Sequence, residues 1–491
     1  MRIELHDLPQ RVERQISKLR VECASEHGLS SRRGHRAELS CLSVPSARPA
    51  IAVLYVALCA RVYADGIVIA GGSPRAIGRA GTGTVSDDGA GALLLDPAVL
   101  ARRDEYRAQI GVAFVDDNVQ WLENQDAPLA RDQAESRIVP TFAIEGGVGN
   151  WVLGIGAMTS ATSERSLRQP GDLDPGHFGN AFDYRYDGYV GSTRRDTLAI
   201  GAARRLGDAV AVGISISASR VSVGETRSLW AGFIGRKDVL GDPAHDVTLA
   251  MTGVDDFSPS AVAGVLVAPP DTRVELAASI AWARTAHVDG PVVAVGSTDV
   301  SARTTASPTA HLDVPEPITV RTGARYLAEK WIVEVNGDLW IFPSSAESNA
   351  WQLDGVTVVD ESSAAVNLTT LQSRLSERTH GAVRGAIDVQ IIPGFLWATG
   401  GYAYTTANTD AAYRSTTFGD LSGHTVGLGL EATAGKFTFT LGWSRTWSIQ
   451  RPEQISAWTL DNPFNAGNEQ VPSGTFDESI DDVGVLVDAE Y

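Results

Sequence analysis

Three arginines and three carboxylates in this chain share one chemistry. Arg321, Arg325 and Arg384 stand in stretches that alternate polar with apolar residues, as do Glu334, Asp338 and Asp388, so one alternation places all six on the same wet face. A guanidinium there can hold a carboxylate head group in a fork of hydrogen bonds, or it can be neutralised by its acidic neighbours in an internal ion network. Trp340, Tyr402 and Tyr404 read onto the same interior, where a ring can flank an acyl chain or an aromatic ligand, or simply fill space. Leu229, Trp230, Phe233 and Ile234, followed by Val239 and Leu240, form an apolar cluster in what reads as a long connection. Such a cluster either captures an apolar ligand or packs on itself and the rim.

Reactive chemistry has little support. There is no Gly-X-Ser-X-Gly elbow and no His-Glu-X-X-His pair. His177, His245, His287, His311, His380 and His424 are scattered through expected loops and strand ends and read as solvated surface residues. No catalytic residue, metal or cofactor is therefore expected. An Asp/His/Ser site at the mouth of a barrel stands as the catalytic alternative, and a surface receptor or adhesin as another. A net charge of -18 argues against nucleic acid, which requires a basic face.

The elements that position these residues are strands. Leu198, Ile200 and Ala202 alternate up to a turn at Leu206-Gly207-Asp208, and Val210, Val212, Ile214, Ile216 and Ala218 resume beyond it, opposed by Gly213, Ser215, Ser217 and Ser219. Similar units follow at Val274–Trp282, Trp331–Ile341 and Phe437–Trp443. Fourteen strands are predicted, near 105–116, 137–146, 150–160, 195–206, 209–221, 259–268, 272–285, 317–327, 330–342, 378–390, 394–406, 422–433, 436–447 and 479–491. Their connections alternate between short turns and long loops such as 161–194, 222–258, 286–316, 343–377 and 448–478. That sorting suits an all-β, transmembrane, antiparallel up-and-down barrel, with short turns on the periplasmic side and long loops outside. In lipid every strand edge must be paired, so the sheet must close. The last residues alternate without fault to an aromatic end, Tyr491, fitting a closing strand anchored at a membrane interface and read by the barrel-assembly machinery.

The 491 residues carry no uninterrupted apolar stretch of the ~18–20 residues that a spanning helix needs. The longest run, Pro49–Ala60, follows Arg48 and reads as the core of an export signal, with cleavage expected after Ala64, or after Ala60 as the fallback. Residues 1–64 are thus expected as a leader, of which 1–45 read as the product of a start assigned too far upstream. Cys23, Cys41 and Cys59 all precede the expected cut, leaving a thiol-free mature chain suited to an oxidising periplasm.

Between the leader and the first strand, residues 65–103 are crowded with small residues: Gly71-Gly72, Gly78-Arg79-Ala80-Gly81, Gly83, Asp87-Asp88-Gly89-Ala90-Gly91 and Leu95-Asp96-Pro97-Ala98. No Gly-Lys-Ser/Thr and no βαβ context is present for a nucleotide-binding loop. In order and spacing, Gly78 to Ala98 resembles the amino-terminal signature of the FadL family, outer-membrane transporters of long-chain fatty acids and other hydrophobic compounds. The resemblance implies a hatch plugging the lumen of a fourteen-stranded barrel formed by 104–491, with Gly78, Gly83, Asp87, Asp88, Asp96, Pro97 and Ala98 as hatch or gating residues. It departs at Asp96, where the family usually has Asn. It further implies capture of a hydrophobic small molecule by the outer loops, passive uptake, and a monomer in contact with outer-membrane lipid and lipopolysaccharide of a Gram-negative bacterium. A porin-like channel for small polar solutes is the rival reading, if the segment leaves the lumen.

Overall fold

The structure is a computed structural model. It describes residues 73–491 apart from 88, 104, 123–128, 168–182, 232–242, 360–363, 410–414, 416, 419–421, 449–458, 461–463, 465–468 and 471–474. The leader, the expected cleavage site at Ala64, and Asp88, Phe233 and Ile234 lie outside the described residues.

Strands dominate. In chain order they are β1 (Arg107–Leu122), β2 (Ala130–Arg131), β3 (Arg137–Val148), β4 (Trp151–Ser166), β5 (Val190–Arg205), β6 (Val210–Trp230), β7 (Asp246–Val267), β8 (Val274–Ala283), β9 (Ala286–Gly296), β10 (Ser301–Val314), β11 (Ile318–Leu327), β12 (Trp331–Ile341), β13 (Ala350–Val359), β14 (Ala365–Gln372), β15 (His380–Ile392), β16 (Leu396–Thr405), β17 (Gly423–Ala434), β18 (Phe437–Ser448), β19 (Thr459–Leu460), β20 (Glu469–Gln470) and β21 (Thr475–Glu490). Fourteen of them close a barrel, each antiparallel to its neighbours, in the order β1, β3, β4, β5, β6, β7, β8, β11, β12, β15, β16, β17, β18, β21. Closure is made by β21, which pairs with β18 on one side and, from Arg107↔Glu490 to Leu122↔Thr475, with β1 on the other. All fourteen predicted strands are present.

At one end the barrel strands are joined by short turns. Gly207 and Gly435, at φ +79° and +65°, occupy the left-handed region that two of these turns require. The carboxyl terminus lies at the same end, where the Tyr491 N–H donates to Tyr106 O at 2.9 Å and the Lys436 ammonium sits 5.6 Å over the Tyr491 ring.

The outer face of the wall is apolar. Ile110, Phe114, Leu198, Ile200, Ile214, Ile216, Phe439, Leu441, Val483 and Val485 all project outward and exposed. Each would gain roughly 1.5–3 kcal/mol on leaving water, so the belt fits an apolar solvent. The inward face carries small and polar residues, as the alternation predicts.

The other end departs from the sequence reading. The connections 286–316 and 343–377, read as loops, hold β9, β10, β13 and β14. Glycine and proline inside them, such as Gly290-Pro291, hid the period-two pattern. β6 and β7 run to 21 and 22 residues, about twice what a bilayer crossing needs. Their overhang pairs onward with β9, β10, β13 and β14 to form a cap. Its core includes Val223, Leu249, Val288, Leu312, Trp351, Val358 and Leu371.

Candidate functional site

The described residues of 73–103 lie inside the barrel wall, nearly all buried. The segment begins with helix α1 (Pro74–Ile77), started by Ser73, whose Oγ accepts from Ala76 N and donates to Asp87 Oδ2 at 2.7 Å. Proline at the first helical position suits the start. α1 lies against a strip of wall with no side chains. A Cβ on Gly442 would meet Pro74 O at 2.5 Å, one on Gly401 would meet the Arg79 carbonyl carbon at 2.2 Å, and one on Gly427 the Ala80 nitrogen at 2.6 Å. Gly78 faces the same strip, where its own Cβ would lie 2.9 Å from Gly429 Cα. The chain then reverses at Ala80 (φ +51°) and Gly81 (φ +80°). Left-handed alanine is strained, and the surrounding contacts hold it there.

Arg79 is the anchor. It is 1 % exposed and reaches the wall at two carboxylates: Nη2 donates to Glu334 Oε2 at 2.8 Å, and Nη1 binds Asp388. Its Nε donates to Thr82 O at 3.0 Å. The second Glu334 oxygen accepts from Val85 N at 2.9 Å. With its amide oxygen turned to the backbone, Asn336 accepts from Gly83 N (2.9 Å) and Thr84 N (2.8 Å). A guanidinium satisfied on three sides and paired to two acids fits burial that a single unpaired charge could not bear.

Further along, helix α2 (Ala92–Leu95) leaves carbonyls that helices cannot satisfy themselves. The wall supplies donors. Ser215 Oγ donates to Leu93 O at 2.6 Å, Ser279 Oγ to Leu95 O at 2.5 Å, and Arg321 Nη1 to Leu94 O at 3.4 Å. Asp96 then opens a 3₁₀ turn, Pro97–Arg102, by accepting from Ala98 N at 2.9 Å on Oδ1. Asp96 is fully buried, and Oδ2 has no hydrogen-bond partner among the described residues. Burial pushes its carboxyl up to about 7, against the pull of the Ala98 N–H and of Arg102 and Arg321. Pro97 and Ala98 press on the wall where a Cβ on Gly213 would come 2.4 Å from both the Pro97 carbonyl carbon and the Ala98 nitrogen. Leu93, Val99 and Leu100 pack on Val152, Ala199, Ala203 and Leu266 of the wall, and Arg102 forks onto Glu275 at 3.0 and 2.7 Å.

Between this segment and the cap is a cavity of about 290 Å³. Leu94 and Leu95 belong to its floor, Trp340, Phe342, Leu375 and Phe418 give it apolar surface, and Arg194, Arg195, Arg321 and Arg384 line it with charge. Three of these arginines meet carboxylates: Arg384 Nε lies 2.9 Å from Asp338 Oδ2, Arg194 Nε lies 2.9 Å from Asp196 Oδ2, and Arg195 binds Glu316. The Arg384 guanidinium also lies 5.8 Å from the Trp340 ring centroid.

Of the residues singled out in the sequence, Arg321, Arg384 and Trp340 therefore meet in one cavity. Gly78, Gly83, Asp87, Asp96, Pro97 and Ala98 all lie in the buried segment. Three expectations need correction. Leu229 and Trp230 are not a free loop cluster: they end β6 and are 1 % and 2 % exposed, because the overhang of β6 is roofed by the cap. Tyr402 does not face the lumen. It points outward, 50 % exposed, and its hydroxyl meets His424 Nδ1 at 2.6 Å, beside Tyr404 and Trp447. The inward positions on that strand are Gly401 and Ala403, since the buried segment runs so close to Gly401 that no side chain fits, and the rings take the interfacial side. Tyr404 shares that outward face rather than the interior.

Sequence reasoning passed over Arg79, although a lone arginine in a glycine-rich run was the visible signal. It also treated His287 and His311 as scattered, whereas the cap brings them together. The repeated His-X-Asp at 287–289 and 311–313 was the clue.

No family model and no curated protein sequence matches the chain. Solved structures do. A FadL homologue of Pseudomonas aeruginosa superimposes with a TM-score of 0.63 at 15 % identity, covering 87 % of this chain and 99 % of the other. The toluene transporter TodX of P. putida gives 0.62 at 12 % identity over 86 % and 99 %, and the toluene transporter TbuX of Ralstonia pickettii 0.60 at 13 % over 86 % and 99 %. At such identities the agreement concerns architecture, and in architecture the chain is a closed fourteen-stranded barrel of the FadL fold.

Proposed function

We propose that this protein is an integral outer-membrane transporter that lets hydrophobic compounds pass passively, with residues 73–103 as a hatch in its lumen. The observation that carries the reading is a barrel greasy outside and occupied inside. The outward belt calls for lipid, and the filled interior argues against a porin-like pore for small polar solutes. The fold shared with a FadL homologue and with two toluene transporters supports the same class. Diffusion down a gradient maintained by later consumption of the compound is sufficient to drive transport.

The cavity narrows the cargo. Four arginines line it with three carboxylates, Asp338, Glu316 and Glu377; Arg384 pairs with Asp338, Arg195 with Glu316 and Arg194 with Asp196, and much of the remaining surface is ring and aliphatic carbon. This favours an apolar body with an acidic head, such as a long-chain fatty acid, over a neutral hydrocarbon. Entry runs from the cap side into the cavity. Exit follows either displacement of the hatch or lateral diffusion into the membrane.

Mass spectrometry of lipids co-purified in mild detergent tests the reading, together with uptake of radiolabelled oleate and toluene by cells expressing the protein. Co-purified carboxylic acids and faster oleate uptake are expected. Large steady ionic current from the intact protein, with no gain in uptake of either compound, would overturn it.

A further inference from the structure

On the outer surface of the cap, β9 and β10 pair so that His287 stands opposite Asp313, and Asp289 opposite His311. Positions 287 and 289 are two apart on one strand, and 311 and 313 on the other, so all four side chains leave the ladder on one face. The opposite face, Ala286, Val288, Ala310 and Leu312, is buried in the cap core. The two imidazoles stack, with centroids 6.3 Å apart and planes 10° from parallel. Asp313 Oδ1 lies 2.5 Å from His287 Nδ1 and 3.2 Å from His311 Nε2. The other nitrogen of His311, Nδ1, lies 2.7 Å from Asp289 Oδ1.

We propose that this quartet binds a divalent first-row transition cation of the zinc type, with His287, His311 and Asp313 as ligands and Asp289 as the residue that orients His311. The proposal is independent of what the barrel transports. Two imidazoles and a carboxylate form a borderline donor set, suited to zinc, nickel or copper and not to magnesium or calcium, which take oxygen alone. One ligand atom from each of the three residues lies within 4.8 Å of the other two. Bonds of about 2.0–2.2 Å to a shared ion draw such atoms to roughly 3–3.6 Å, a shift that side-chain rotation on an exposed face supplies. Asp289 holds the far nitrogen of His311, the arrangement that fixes tautomer and ring direction in carboxylate–histidine–metal sites. Solvent reaches the face and completes the coordination.

Nor is the quartet needed to hold the strands together. Exposed histidine–carboxylate pairs contribute little to stability, and the apolar rows beneath already fasten β9 and β10. Arg284, three residues before His287, is held by Asp255 of β7 at 2.6 Å, and that carboxylate also accepts the His287 backbone N–H at 3.0 Å. Gln352 of β13 pairs with His311 in register and adds no competing charge.

The test titrates zinc chloride into the full-length, untagged protein in detergent by isothermal calorimetry, and follows copper(II) by electron paramagnetic resonance. The wild type is expected to bind one zinc more than the His287→Ala/His311→Ala double variant, with at least a hundredfold loss of affinity at that site in the variant. Asp289→Asn is expected to weaken binding about 10–100-fold. Copper(II) is expected to show nitrogen hyperfine structure from two imidazoles. All variants should keep the heat-modifiable migration of a folded barrel, because the substituted face is exposed. Equal zinc affinity and stoichiometry in wild type and double variant, whether both bind or neither does, would overturn the proposal, as would copper spectra without two-nitrogen coordination.

Discussion

Replacing Arg79 by methionine is expected to unfasten the amino-terminal segment while sparing the wall. The side chain is buried and bound to Glu334 at 2.8 Å, to Asp388 and to Thr82 O at 3.0 Å. Methionine keeps much of the volume and removes the charge, leaving two buried carboxylates without the guanidinium bonded to them. Breaking a buried ion pair by removing one partner costs about 3–5 kcal/mol. At about 1.4 kcal/mol per tenfold, the ratio of seated to unseated segment falls by two to three and a half powers of ten. The barrel itself is held by fourteen mutually paired strands, so heat-modifiable migration should persist. Single-channel recording in planar bilayers reads the change as a rise of at least a hundredfold in the frequency of open events. The triple variant Arg79→Met/Glu334→Gln/Asp388→Asn removes all three charges together and should recover most of the seating. A recording for Arg79→Met indistinguishable from wild type, with the barrel folded, would refute the anchoring argument.

Three further outcomes are expected. Asp96, raised to about 7 by burial, holds a proton in the folded protein that the unfolded chain releases near pH 4, so its contribution is full below pH 4 and is lost as pH rises towards 7. That loss amounts to about 4 kcal/mol. Open-event frequency in wild type should therefore climb from pH 5 to 8, whereas Asp96→Asn should respond less; identical pH profiles would sink the assignment. Gly213→Val forces a side chain into the Pro97–Ala98 backbone and should raise conductance without loss of folded barrel, as measured by bilayer recording and gel mobility. Deleting Tyr491 removes the N–H bonded to Tyr106 and the ring beneath Lys436, and should lower the inserted fraction in membrane fractionation; full insertion would show the residue dispensable.

The barrel was legible in the sequence because its signal is local. Leu198, Ile200, Ile214 and Ile216 announce an outward stripe wherever they stand, and turns such as Leu206-Gly207-Asp208 need only their own backbone angles. Whatever depended on a partner far along the chain was harder to read. Leu229 and Trp230 looked exposed because the cap strands β9, β10, β13 and β14 lie in connections read as loops. Tyr402 was turned the wrong way because nothing in its own strand reveals how closely residue 79 passes Gly401. The pairing of Arg79 with Glu334 and Asp388 spans 255 and 309 residues, so no spacing rule could find it.

The glycine strip has a mechanical corollary. Gly401 pairs with Gly427, and Gly429, Gly442 and Gly484 continue the row across adjacent strands. Were the segment to slide off this row, the slot left behind would be floored by bare peptide along one flank. Its calibre would be set by main-chain positions, which do not hop between rotamers. A molecule moving down it would meet a smooth rail on one side, and every adjustable gatepost would stand on the opposite bank.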